Sequence, residues 1–259
     1  MTQRDQIYAT PLLPLTPGLS PACGSGGENQ IPPFCFDERV AAVFPDMIRR
    51  SVPGYDLIVQ ALPWLAARVV QPHSHVYDLG CSLGASIHAV RHGLAHTPGC
   101  RLLAVDSAAA MIERAREWLA GFRAETPIEL QCADVLDVPI ENASLVMLNF
   151  TLQFIPQDQR LALLQRIRAG MRPGGVLLLS EKIAIEDEAL AQLITELHHD
   201  FKRAQGYSEL EIAQKRQALE NVLIPETLAA HRERLLAAGF AAAEPWLQHT
   251  RFVSLLARV

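Results

Sequence analysis

The chain has 259 residues, 49% of them hydrophobic and 20% charged, which is enough to bury one continuous α/β core without metal or disulfide staples. No uninterrupted apolar run approaches the roughly 20 residues of a membrane-spanning helix. The formal net charge of −5 lacks the basic surplus with which proteins displace counterions from a nucleic acid backbone, so direct nucleic acid binding is not expected.

The chain starts Met1-Thr2-Gln3-Arg4-Asp5, without an apolar stretch followed by a small-residue cleavage site, and a cytoplasmic address is expected. Residues 11 to 34 are rich in Pro, Gly and Ser and read as a flexible loop, within an N-terminal segment 1–35 expected to be flexible as a whole. The five cysteines (Cys23, Cys35, Cys81, Cys100, Cys132) are odd in number and contain no C-x-x-C pair. That pattern argues against a disulfide framework and a zinc site, and reduced thiols are expected.

From Phe36 to Arg50 apolar residues recur at helical spacing, and a second helix is expected from Tyr55 to about Val69, after the turn Ser51 to Gly54. Short runs rich in Val, Leu and Ile then alternate with helical stretches: His75 to Leu79, Arg101 to Val105, Ile128 to Cys132, Leu145 to Phe150 and Val176 to Leu179. Such alternation implies crossover connections and a mostly parallel sheet covered on both faces. Residues 186 to 238 read as consecutive helices. Ala243 to His249 and Phe252 to Ala257 follow as an antiparallel pair closing the sheet edge. The expected class is therefore α/β, a Rossmann-like, mostly parallel seven-stranded sheet with an antiparallel strand at the edge, in a single domain over 36–259.

The segment Val76-Tyr77-Asp78-Leu79-Gly80-Cys81-Ser82-Leu83-Gly84 is a strand entering a glycine turn and then a helix, where backbone amides can meet a ligand. Asp106 ends the next strand and can accept both hydroxyls of a ribose. Dinucleotide enzymes use the same architecture with G-x-G-x-x-G, whereas this turn reads G-C-S-L-G. The reading favours S-adenosylmethionine, which has no pyrophosphate, with Asp78 suited to its ammonium group. Asp134 can accept from the adenine amino group, with Val135 offering its backbone, and Asn149 ends the fourth strand beside the methionine moiety. Each of these two strand-end polar residues has a plain structural alternative as a cap.

The reaction is narrowed by absences. No N/D-P-P-Y/F segment follows the fourth strand, no Pro-Cys turn offers a nucleophilic thiol, and no histidine stands in an evident base position. His198-His199-Asp200 is no metal site on this reading, because adjacent histidines on a helix point about 100 degrees apart. The pairs Lys202-Arg203 and Lys215-Arg216 are expected on solvated helix faces.

Beyond the cofactor motif, Phe36 to Ala41, Val43 to Ile48, Arg50 to Tyr55, Tyr77 to Ala85, Glu141 to Ser144, Asn149 to Phe154, His198 to Arg203 and Gly206 to Ile212 closely resemble the carboxy-S-adenosyl-L-methionine synthase family. The resemblance spans nearly the whole chain from Phe36. The Pro/Gly-rich stretch before it looks like an insertion.

The resemblance implies that prephenate loses carbon dioxide and aromatises to phenylpyruvate, while the cofactor's sulfonium methyl, deprotonated to an ylide, captures the carboxyl unit. It implies that Tyr55, Gly80, Cys81, Ser82, Asp106, Ser107, Asp134, Val135 and Asn149 line the pocket for S-adenosylmethionine or its carboxylated form, without a metal. By the same resemblance Arg216 meets the carboxylate, and a homodimer is expected, across whose interface Arg216 can act. A separate tRNA carboxymethyltransferase consumes the product at a wobble uridine. The alternatives left open are an ordinary methyltransferase acting on tRNA and a catalytically silent cofactor-binding scaffold.

Overall fold

The computed structural model describes residues 3–9, 34–122, 126–220 and 222–259. The flexible-loop reading of residues 11 to 34 thus lies outside the described residues except at Phe34. That residue is buried, and its N–H donates to the Ala218 carbonyl.

The parallel sheet is built as its sequence pattern requires. Strands β1 (His75–Leu79), β2 (Arg101–Asp106), β3 (Ile128–Cys132), β4 (Ala143–Asn149) and β5 (Met171–Ala184) pair in parallel. With β7 (Ala242–His249) and β8 (Phe252–Arg258) the order is β3-β2-β1-β4-β5-β8-β7. The turn after His249 folds β8 back between β5 and β7, antiparallel to both. The antiparallel strand therefore lies one place inside the edge, and β7 is outermost.

Successive residues of the central strands feed opposite cores, as a two-residue period dictates. Tyr77, Leu79, Val146, Leu148, Leu177 and Leu179 join Leu163, Leu164 and Ile167 of α5 (Gln157–Gly170) and Leu235 of α8 (Leu228–Ala237). Val76, Leu145, Met147 and Leu178 face the other way. They pack with Leu62 and Ala66 of α2 (Tyr55–Val69), Ile87 and Val90 of α3 (Ala85–His92), and Ile112 of α4 (Ala109–Ala120).

Over the carboxyl ends of the strands sits a helical cover made of α1 (Glu38–Ser51), α6 (Glu188–Ala204) and α7 (Glu209–Leu219). Asp37 starts α1 by accepting from the Val40 N–H, and Ser208 with Glu211 closes a capping box on α7. The stretch read as consecutive helices is broken by a two-residue strand, β6 (Glu226–Thr227), which pairs with Ile183 and Ala184 of β5. Glu226 is held there between Arg160 and Arg234. Arg160 lies 66 positions away, a pairing that local periodicity does not reveal.

Residues 3–9 are docked onto this cover. Asp5 and Tyr8 are buried, and the Asp5 carboxylate accepts from Lys215 Nζ on α7 at 3.1 Å.

Candidate active site

A cavity of about 610 Å³ opens where the carboxyl ends of β1, β2 and β4 meet the helical cover, the position at which open α/β sheets bind ligands. It brings together Tyr55, Gly80, Cys81, Ser82, Asp106, Ser107, Asp134, Val135 and Asn149. Arg216 is not among its lining residues. It projects from the exposed side of α7, although its positive charge reaches Lys182 and His199.

The turn after β1 is shaped by backbone that few residues adopt. Gly80 has φ +84, and a Cβ there would stand 2.2 Å from Thr151 Oγ1, so a side chain is excluded both by conformation and by space. Ser82 (φ 52) and Phe150 (φ 64) also sit at positive φ, and both border the cavity. Strained non-glycine backbone of this kind collects at ligand sites.

Asp106 holds the turn in place. Its Oδ2 accepts from the Ser82 N–H at 2.8 Å and its Oδ1 from the Ala108 N–H at 2.9 Å. Each carboxylate oxygen keeps further accepting capacity. Burial raises the Asp106 pKa against those two hydrogen bonds. Asp134 is more open, and its Oδ1 caps the Leu136 N–H at 2.8 Å, as a strand-end carboxylate can. Val135 is buried, and its carbonyl accepts from Arg166 at 2.8 Å.

The methionine end can be tested for fit from unpartnered atoms. Asp78 is fully enclosed: Oδ2 accepts from the Ile87 N–H at 3.1 Å, while Oδ1 has no partner. Burial pushes its pKa up to about 7, and the Asp106 charge pushes the same way. Asn149 donates from Nδ2 to Ser86 Oγ at 3.0 Å, and its Oδ1 is likewise buried without a partner. Two orphaned acceptors, both on residues tied to the first turn of α3, are costly unless a donor arrives. Asn149 lines the cavity, whereas Asp78 does not; an ammonium group against that lining supplies N–H donors for the Asn149 Oδ1, so the residues present fit an amino acid cofactor.

Several lining residues escape the sequence reading. Lys182 from β5, Lys202 from α6 and Lys215 from α7 all line the cavity. The expectation of solvated helix faces fails at Lys202 and Lys215, which are buried, because α6 and α7 turn these side chains inward beneath the cover. His198 is buried one turn before Lys202, with Nε2 at 2.8 Å from the Ser51 carbonyl. Burial is the largest effect taking its pKa down to about 3. The ring is neutral and donates to that carbonyl. An available signal was the pattern of α6, whose Leu190, Leu193 and Leu197 point outward while His198 and Lys202 point in, the reverse of an ordinary surface helix.

Among the described residues no group of three or more His, Cys, Asp or Glu could hold a metal ion, and no helix is long and apolar enough to cross a membrane. Cys81, Cys100 and Cys132 are free, but Cys35 is disulfide-bonded. The expectation of reduced thiols fails there, since an odd count and the lack of a C-x-x-C pair leave room for a single bridge.

A model of the methyltransferase domain family matches residues 76–175. A solved O-methyltransferase family protein from Burkholderia thailandensis is similar with a TM-score of 0.61 at 17% identity. That match covers 86% of this chain and 60% of the other, a likeness of fold alone. Curated relatives named carboxy-S-adenosyl-L-methionine synthase are far more similar. Those from Citrifermentans bemidjiense and Trichlorobacter lovleyi are 54% and 56% identical over 259 residues, 99% of each chain. Identity at that level over 99% of the chain places it in a family of transferases on the S-adenosylmethionine-binding fold: it belongs to the carboxy-S-adenosyl-L-methionine synthases.

Proposed function

We propose that the chain converts S-adenosylmethionine and prephenate into carboxy-S-adenosylmethionine and phenylpyruvate. In that reaction prephenate releases carbon dioxide and hydroxide as its ring aromatises; hydroxide takes a proton from the sulfonium methyl, and the methyl carbon takes the carbon dioxide. Atoms and charge balance with one water formed. The protein has no proton to abstract and needs to position two reactants and hold carboxylates.

The observation that carries this reading is the division of charge in the cavity. Its acidic lining residues, Asp106 and Asp134, stand at the ends of β2 and β3, where a nucleoside belongs. The opposite wall offers Lys182, Lys202, Lys215 and neutral His198. A cofactor cradle facing a cationic chamber suits a dicarboxylate better than a nucleic acid base. Tyr55, Gly80 to Ser82, Asp106 with Ser107, Asp134 with Val135, and Asn149 hold the cofactor on this reading, and Arg216 meets the new carboxylate.

Arg216 does not line the cavity of its own chain, and on this reading a second copy presents it to the carboxylate. The outward stripe Leu190, Leu193 and Leu197 on α6 (all about half exposed), next to the helix that carries Arg216, is the surface a homodimer would cover. The product then passes to a separate tRNA carboxymethyltransferase for 5-carboxymethoxyuridine formation in the cytoplasm, so this acidic chain need not hold RNA. Mass spectrometry of the small molecule that co-purifies with the protein tests the reading. A cofactor heavier by one carboxyl unit is expected. S-adenosylmethionine or S-adenosylhomocysteine alone would count against it.

A further inference from the structure

We infer that Lys182 and Lys202 form the cradle for the two carboxylates of the second substrate, while Lys215 is a structural tie that takes no part in binding it. The inference deepens the proposed function and rests on its dicarboxylate substrate.

The three lysines are alike in sequence and unlike in their surroundings. Lys215 Nζ donates to Asp5 Oδ2 at 3.1 Å, Ser51 Oγ at 3.0 Å and Tyr207 Oη at 3.0 Å. Its three protons are matched and its charge is neutralised, so it fastens the N-terminal segment to α1 and α7. Lys182 and Lys202 have no such arrangement. Among the described residues neither enters an ion pair, and the charged groups acting on them are all cations. The positive charges of Arg251 and Arg216 act on Lys182, and those of Lys215 and Lys182 act on Lys202.

Lys202 is 8% exposed, turned inward on the same face of α6 as His198. Buried like charges without a counter-ion destabilise a fold, and such an arrangement is retained where a ligand supplies the missing charge. A dianion does so for both lysines at once. Each ammonium is a compact point charge on a flexible stem, able to follow a carboxylate that departs as carbon dioxide.

Protonation supports the same assignment. Burial first, and then the neighbouring cations, take Lys182 down to about 8 and Lys202 to about 7. His198, on the same wall, stays neutral. Bound carboxylates favour the charged lysines, so the second substrate should bind with proton uptake and lose affinity as pH rises above about 7 to 8.

The test compares Lys182→Gln, Lys202→Gln and Lys215→Gln with wild type for S-adenosylmethionine affinity, prephenate KM and ligand-free melting temperature. The first two variants should keep cofactor affinity within about twofold and raise prephenate KM by roughly thirtyfold or more, the loss expected for one partner of a buried charge pair. They should melt no lower than wild type, since a repulsive charge is removed. Lys215→Gln should melt lower, because Asp5 is left unpaired. An unchanged KM in either of the first two variants, or a lower melting temperature in either, overturns the cradle while leaving the proposed reaction standing. A wild type that binds cofactor but neither turns over prephenate nor is stabilised by it overturns both.

Discussion

Asp106→Ala is the sharpest perturbation of the cofactor site. Both carboxylate oxygens already accept one backbone N–H, from Ser82 and Ala108, and the remaining accepting capacity opens into the cavity. Two ribose hydroxyls donating there make two charge-assisted hydrogen bonds of about 1.5–3 kcal/mol each. Their combined loss at the low end, about 3 kcal/mol, weakens S-adenosylmethionine binding roughly a hundredfold. The substitution also strands the Ser82 and Ala108 amides, each able to cost about 1–3 kcal/mol where solvent cannot reach it. Asp106→Asn is therefore run beside it, since it keeps one side-chain acceptor for those amides while discarding the charge. Titration calorimetry with S-adenosylmethionine, on protein shown to be folded by its melting curve, reads the affinity. A folded alanine variant whose affinity lies within threefold of wild type would refute the placement of the ribose.

Asp78 carries a pH dependence. Its pKa rises from 3.8 to about 7 on folding, so between those values the folded protein holds a proton that the unfolded chain releases. The contribution of this group to stability is undiminished below pH 3.8 and falls as pH rises toward 7. Asp78→Asn should flatten that part of the stability–pH curve of the ligand-free protein and bind S-adenosylmethionine at least tenfold more weakly; an unaltered curve counts against the raised pKa, and unaltered affinity counts against an ammonium partner. For Arg216→Ala the expectation is retained S-adenosylmethionine binding with lost preference for the carboxylated form, by roughly thirtyfold to several thousandfold. Equal discrimination by the variant, measured by competition calorimetry, would remove Arg216 from the site.

The parallel sheet is legible in the sequence because its strands are short apolar runs between helical stretches, and β1 to β4 fall within two residues of where those runs place them. The cofactor turn is legible because glycine and an acidic strand end have few substitutes for what they do at Gly80 and Asp106. Other features depend on tertiary partners. β6 exists because Glu226 is clasped by Arg160 and Arg234. Asp5 is buried because a lysine 210 positions away needs it. The cationic wall draws on β5, α6 and α7, three elements with no shared motif, so its lysines look like ordinary helix and strand charges until the fold assembles them. Only the reversed polarity of α6 hints at it. The family resemblance names Arg216 for the carboxylate, yet within one chain that side chain stands outside the cavity.

One incubation reads carboxyl transfer itself. Purified protein is mixed with S-adenosylmethionine and prephenate, and carboxy-S-adenosylmethionine and phenylpyruvate are followed together by mass spectrometry. Both products should form in equal amounts, with neither appearing when either reactant is left out. Phenylpyruvate without the carboxylated cofactor, S-adenosylhomocysteine in its place, or no product at all would contradict carboxyl transfer.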